Sequence, residues 1–195
     1  MNQQALLDSR QQLQQLITRL AVVHGQVTLA SGRTAEYYVD LRKVTLHHQA
    51  APLIGQLLLD LLQTAGLGPG AVSAVGGLTM GADPVAAALL HAAASRGLEL
   101  DAFVVRKEAK THGLQRQVEG PDVAGLSVVV VEDTSTTGGS VMTAVKALQD
   151  AGAQVKAVVV IVDRDTGARE LIEKSGLPYY WLYSLKDLGL DQSGV

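Results

Sequence analysis

The sequence contains no cysteine, which excludes disulfides and thiolate metal sites as supports of the fold. Aromatic residues are scarce, at 4%, so a core must be assembled mostly from Val, Leu and Ala. No run of about 18 apolar residues occurs, so no segment is expected to span a membrane. The stretch Met1 to Arg10 is polar and glutamine-rich. It has no basic start leading into an apolar run and does not read as a signal peptide. Positive charge is not in excess either: 16 Lys and Arg stand against 19 Asp and Glu, which counts against a general nucleic-acid binder. These absences lead to the expectation of a cytoplasmic protein with no membrane and no nucleic-acid partner. No repeat, low-complexity tract or linker interrupts the chain, so 1–195 is expected to form a single domain.

What is present is a hydrophobic supply of 47%, enough for a sizeable core, arranged in an alternating pattern. Leu13, Leu16, Ile17, Leu20 and Val23 fall on one face of a helix expected over 5–24, with Gly25 placed to end it. A short hairpin is expected from Val27 to Leu41, turning at 30–33. A second helix is expected over 48–65. Strands then read at 71–76, 101–106, 126–131, 155–162 and 179–184, with helices at 82–96, 139–151 and 166–175 and a polar loop at 107–122. Continuous β-branched strands alternating with helices imply an α/β fold, with a mainly parallel sheet flanked by helices. Residues before about 45 lie outside the alternation and are expected to pack over one edge of the sheet.

In open α/β sheets ligands bind beyond the carboxyl ends of the strands. The turn after the 126–131 strand reads Glu132-Asp133-Thr134-Ser135-Thr136-Thr137-Gly138-Gly139-Ser140 and leads into a helix. Free N–H groups at a helix start, close approach at Gly138 and Gly139, and the hydroxyls of Thr136, Thr137 and Ser140 together make a monophosphate cup. The two acids cannot bind phosphate but can accept hydrogen bonds from sugar hydroxyls, so the combination points to a ribose phosphate. The plainer alternative is an ordinary turn with a Thr or Ser helix cap. Neither a Walker A loop nor a Gly-x-Gly-x-x-Gly fingerprint is present.

Two cationic features accompany this loop. Residues 106–116 gather Arg106, Lys107, Lys110, His112 and Arg116. They could meet a polyanion, or form a solvated surface loop. Arg106 ends a buried strand, where a charge needs a partner. Arg164, at the end of the 155–162 strand, offers a planar bidentate donor for a carboxylate, or a salt bridge to Asp163 or Asp165.

A hydrophobic strand, two acids and a Thr/Gly-rich loop resemble the 5-phosphoribosyl-1-pyrophosphate (PRPP) motif of type I phosphoribosyltransferases. Arg106-Lys107-Glu108-Ala109-Lys110-Thr111-His112-Gly113 is similar to the mobile catalytic loop of the orotate phosphoribosyltransferases. Ser31-Gly32-Arg33 with Tyr37-Tyr38 resembles the stretch that covers orotate there, and Gly76 to Gly81 the pyrophosphate loop. The resemblance implies the type I phosphoribosyltransferase fold with an N-terminal hood over roughly 1–45. It implies PRPP contacts from Arg106, Lys107, Lys110, His112, Glu132, Asp133, Thr134, Ser135, Thr136, Thr137, Gly138, Gly139 and Ser140. Lys107, Lys110, His112 and Asp133 would act in catalysis, and Thr136, Arg164 and Tyr38 would meet orotate. It further implies Mg²⁺ held mainly by substrate and water, and a homodimer with shared active sites. Ala30 and Met80 stand where many bacterial relatives carry lysine, which shifts charge neutralisation toward the 106–116 loop.

Two rivals share part of this pattern. A phosphoribosyltransferase for a purine or another base would keep the 132–140 loop but need neither Arg164 nor the 106–113 pattern. A regulator that keeps the PRPP fold and binds DNA or RNA would need an added domain or a basic face.

Overall fold

The computed structural model describes residues 3–28, 34–108 and 117–190. Helix α1 (Gln3–Leu20) opens the chain, followed by an antiparallel hairpin of β1 (Val22–Thr28) and β2 (Thr34–Val39). A short α2 (Arg42–Thr45) and then α3 (Ala50–Thr64) lead into the sheet. The rest runs β3 (Ala74–Leu78), α4 (Ala82–Ser95), β4 (Asp101–Val105), β5 (Val118–Glu119), β6 (Ser127–Ser135), α5 (Gly139–Asp150), β7 (Gln154–Asp163), α6 (Ala168–Lys174) and β8 (Tyr179–Ser184), closing on a 3₁₀ turn at Lys186–Leu188.

The main sheet has the order β5-β4-β3-β6-β7-β8. All neighbours are parallel except β5, which pairs antiparallel with β4. Helices cover both faces, which is why the central strands read as unbroken apolar runs. Val129, Val131 and Val159 face a cluster built from α1, α3 and α4. Val128, Val130, Val158 and Val160 face a cluster built from α5 and α6.

The N-terminal elements pack over the β8 edge, as their lack of alternation leads one to expect. Leu13 and Ile17 are fully buried, each stabilising by about 1.5–3 kcal/mol relative to exposure. The Tyr183 hydroxyl donates to the carbonyl of Arg10 at 2.7 Å, and the Arg10 guanidinium lies over the Tyr183 ring.

Five sequence expectations need adjustment. Helix α1 stops at Leu20, and Val22 and Val23 instead open β1 opposite Val39 and Tyr38; β-branched residues gain more from that pairing than from a further helical turn. Gly25 lies within β1, beside a register irregularity between His24 and Val27. The β3 strand runs through Gly76 and Gly77 to Leu78, because a side chain at Gly77 would collide with the carbonyl of Val131 on β6. Finally, β6 continues past Val131 to Ser135, and the stretch read as one polar loop contains β5.

Candidate active site

The chain order reverses between β3 and β6: β4 lies beyond β3, and β7 beyond β6. This reversal opens a crevice at the carboxyl ends of the two strands, the usual ligand position in such sheets. The acids lie on β6 itself, with Glu132 opposite Val160 and Thr134 opposite Val162 of β7. A rigid strand, rather than a turn, therefore sets their position.

Glu132 and Asp133 are buried. Each accepts one backbone bond, Glu132 from the N–H of Asp133 at 3.1 Å and Asp133 from the N–H of Thr134 at 2.6 Å. Burial pushes the Glu132 carboxyl up to about 8, with the neighbouring Asp133 charge adding to the effect. Asp133 is also pushed up by burial, against the opposing pull of its bond from Thr134 and of the Arg42 charge. Arg42 is itself paired to Asp40 at 2.8 Å, so the chain just after the hairpin contributes charge to the acid pair. On the opposite side the acids rest on Gly81, at the start of α4. Asp83, in the first turn of α4, adds a third carboxyl whose Oδ1 is buried without a hydrogen-bond partner. Sequence reasoning passed over Asp40, Arg42 and Asp83; none belongs to a recognisable pattern, and only the topology brings them to the acids.

The loop Thr136–Gly138 forms the turn into α5. Its cap residue is Gly138, in the left-handed conformation at φ 80°, and no side chain caps the helix. The ordinary Thr- or Ser-capped turn is thus not what forms. Thr136, Thr137 and Ser140 are exposed, leaving their hydroxyls available beside the free N–H groups of the first helical turn. Gly138 is buried against α6, where an added carbon would stand 3.3 Å from Leu171 Cδ2. Thr134 and Ser135 remain in β6, and the Ser135 side chain is buried.

Arg164 follows β7 directly and is buried. Burial draws its pKa down, while the phenols of Tyr37 and Tyr38 on β2 act in the opposite sense. Tyr37 and Tyr38 of the hairpin thus stand within electrostatic range of the guanidinium at the end of β7. Arg164 N–H donates to the Ser135 carbonyl at 3.0 Å, which joins this end to the acid strand.

At the other end of the crevice, Arg106 follows β4. It is exposed rather than buried, and its guanidinium stands 3.7 Å from Glu119 on β5. Its N–H donates to the Gln117 carbonyl at 2.8 Å, which ties the end of β4 to the start of β5. Lys107 is exposed. Lys110, His112 and the Ser31-Gly32-Arg33 turn lie outside the described residues. Beyond β3, Thr79 N–H donates to Val105 O at 2.9 Å and the Thr79–Met80 peptide is cis.

Comparison with known proteins agrees with this architecture. Residues 43–180 match the family model of the phosphoribosyl transferase domain. The orotate phosphoribosyltransferase of Streptomyces coelicolor is 63% identical over 187 residues, covering 95% of this chain and 100% of the relative. The crystal structure of Mycobacterium tuberculosis orotate phosphoribosyltransferase in complex with Fe(III) dicitrate superposes with a TM-score of 0.84 at 56% identity, covering 93% of this chain and 99% of that one. The same enzyme in complex with 5-phospho-α-D-ribosyl 1-diphosphate superposes with a TM-score of 0.80 at 52% identity, over the same shares of the two chains. By its domain and its 63% identity to a relative over nearly the whole chain, the chain belongs to the orotate phosphoribosyltransferases.

Proposed function

We propose that the chain transfers the 5-phosphoribosyl group from PRPP to orotate, giving orotidine 5'-phosphate and pyrophosphate, a step toward UMP. The observation that carries this reading is the placement of the acid pair, the helix-start cup and Arg164 at the ends of two adjacent strands, β6 and β7. A 5-phosphate fits the cup formed by Thr136, Thr137, Gly138, Gly139 and Ser140. Ribose hydroxyls then fall to Glu132 and Asp133, and the orotate carboxylate to Arg164 with Tyr38 and Thr136 beside it. A purine has no carboxylate for a guanidinium to receive.

In the reaction a ring nitrogen of orotate bonds to ribose C1 as the bond from C1 to the pyrophosphate oxygen breaks. No protein nucleophile is required. The chain contributes alignment of acceptor and ribose and charge complementarity to the sugar and the leaving group. Asp133 and Glu132 hold the hydroxyls, and Asp133 stabilises positive charge that develops on the ring. Arg106, Lys107, Lys110 and His112 neutralise the departing pyrophosphate, and closure of their loop excludes water.

Mg²⁺ suits this site because two carboxyls raised by burial, with Asp83 nearby, favour a cationic complement. Glu132 and Asp133 would meet it through ribose hydroxyls and water, and when bound it supplies positive charge to the pyrophosphate. Arg106, which begins the loop, or arm, carrying Lys107, Lys110 and His112, stands at the β4–β5 edge of the sheet, a suitable place from which to reach a neighbouring subunit, and a homodimer with shared sites is part of the proposal. So is a cytoplasmic location; no described helix is long and apolar enough to cross a membrane.

Orotate absorbance, followed after adding purified protein with PRPP and Mg²⁺, tests the reading. Loss of absorbance that requires PRPP and is abolished by EDTA is expected. A folded protein that leaves orotate untouched would overturn it.

A further inference from the structure

Resting on that function, a group of buried polar residues stands behind Arg164. Asp163, the last residue of β7, is 5% exposed, and Ser135, its register partner at the end of β6, is 3% exposed. Tyr179 at the start of β8 is also buried close by, and its hydroxyl makes no hydrogen bond to either. Trp181 packs on the Tyr179 ring, with centroids 5.5 Å apart, and holds it from outside.

The backbone between Asp163 and Asp165 is unusual. Asp165 has φ 53°, the single positive φ at a non-glycine position among the described residues. Left-handed backbone at such a residue persists only where its surroundings impose it. Here the Asp165 N–H donates to Asp163 Oδ1 at 3.2 Å, an Asx-type turn. Arg164 lies inside that turn, and its own N–H is fixed to the Ser135 carbonyl at 3.0 Å. The direction in which the guanidinium leaves β7 is therefore set by a bracket of Ser135 on one side and the Asp163 carboxyl on the other.

We propose that Asp163 is a positioning residue for the acceptor: its carboxyl holds the turn that aims Arg164. It does not touch substrate. It acts on the orotate end alone, because the phosphate cup is built on Gly138 and α5. An aligned guanidinium distinguishes a carboxylate-bearing pyrimidine from one without it, so the bracket serves acceptor affinity and selectivity.

Kinetics of Asp163→Ala and Asp163→Asn, with each substrate varied in turn, test this. Asp163→Ala is expected to raise the orotate KM by about tenfold, the upper range of one lost hydrogen bond. The PRPP KM should stay within about twofold in each. Asp163→Asn should recover most of the loss, since its amide oxygen can still accept the Asp165 N–H. An unchanged orotate KM in Asp163→Ala would overturn the proposal. A PRPP KM that rises in step with it, or Asp163→Asn no better than Asp163→Ala, would do the same. Should Asp163→Ala fail to fold, Asp163→Leu, which fills the space with no acceptor, decides. A wild-type protein inactive on orotate would refute the proposed function and this inference with it, whereas an active wild type with unaffected variants refutes the bracket alone.

Discussion

The Cα of Gly81 lies so close to the Glu132 carboxyl that a methyl group there would overlap Oε1 of Glu132 and stand 2.8 Å from Oδ1 of Asp133. The start of α4 therefore forms the floor under the two acids. Gly81→Ala should displace the carboxyls at an overpacking cost of about 1–3 kcal/mol. A raised PRPP KM with a lowered melting temperature is expected from steady-state kinetics and thermal unfolding. An unchanged PRPP KM would mean that the acids do not hold the ribose.

Glu132 ties stability to pH. Its folded value, about 8, lies above the ordinary 4.5 because of burial and Asp133. Between those values the folded chain holds a proton that the unfolded chain releases, so stability is greatest below about 4.5 and is lost as pH rises through about 8. Glu132→Gln removes the ionisation. The variant should gain several degrees in melting temperature over wild type at pH 8.5, little at pH 4.5, and lose catalytic activity. An equal gain at both pH values would contradict a buried, protonated Glu132.

Arg164→Lys keeps the charge but loses the planar fork. It is expected to raise the orotate KM by about tenfold or more while leaving the PRPP KM within about twofold. Equal effects on both substrates would place Arg164 outside the acceptor site.

Lys110→Ala should lower kcat far more than it changes orotate affinity, since its proposed partner is the leaving pyrophosphate. If the arm serves the neighbouring subunit, mixing Lys110→Ala with Asp133→Asn should restore partial activity through heterodimers with one intact site. No recovery on mixing, with subunit exchange verified, would contradict shared sites.

The sheet was readable because its strands, such as Val128 to Val131, are β-branched on both faces, a signal with few alternatives. The acids, the cup and Arg164 were readable because strand ends focus chemistry in this topology. Val23 misled because its spacing from Leu16 and Leu20 also fits a helix, and only pairing with β2 decides against it. The strand read as ending at Gly76 continues to Leu78; the place of Gly77 inside β3 depends on how closely β6 approaches, which no local pattern encodes. Arg106 looked buried because it follows a buried strand, yet β5 supplies Glu119 at the sheet's edge. Asp40, Arg42 and Asp83 are distant in sequence from the acids they stand near, and the fold alone assembles them.

The most direct measurement is acceptor competition: purified protein, PRPP and Mg²⁺ with orotate, uracil, hypoxanthine and adenine at equal concentration, and nucleotide products separated by chromatography. Orotidine 5'-phosphate as the dominant product is expected from a buried guanidinium at the acceptor end. A purine nucleotide, or equal use of uracil, would contradict the assignment of Arg164 and the function built on it.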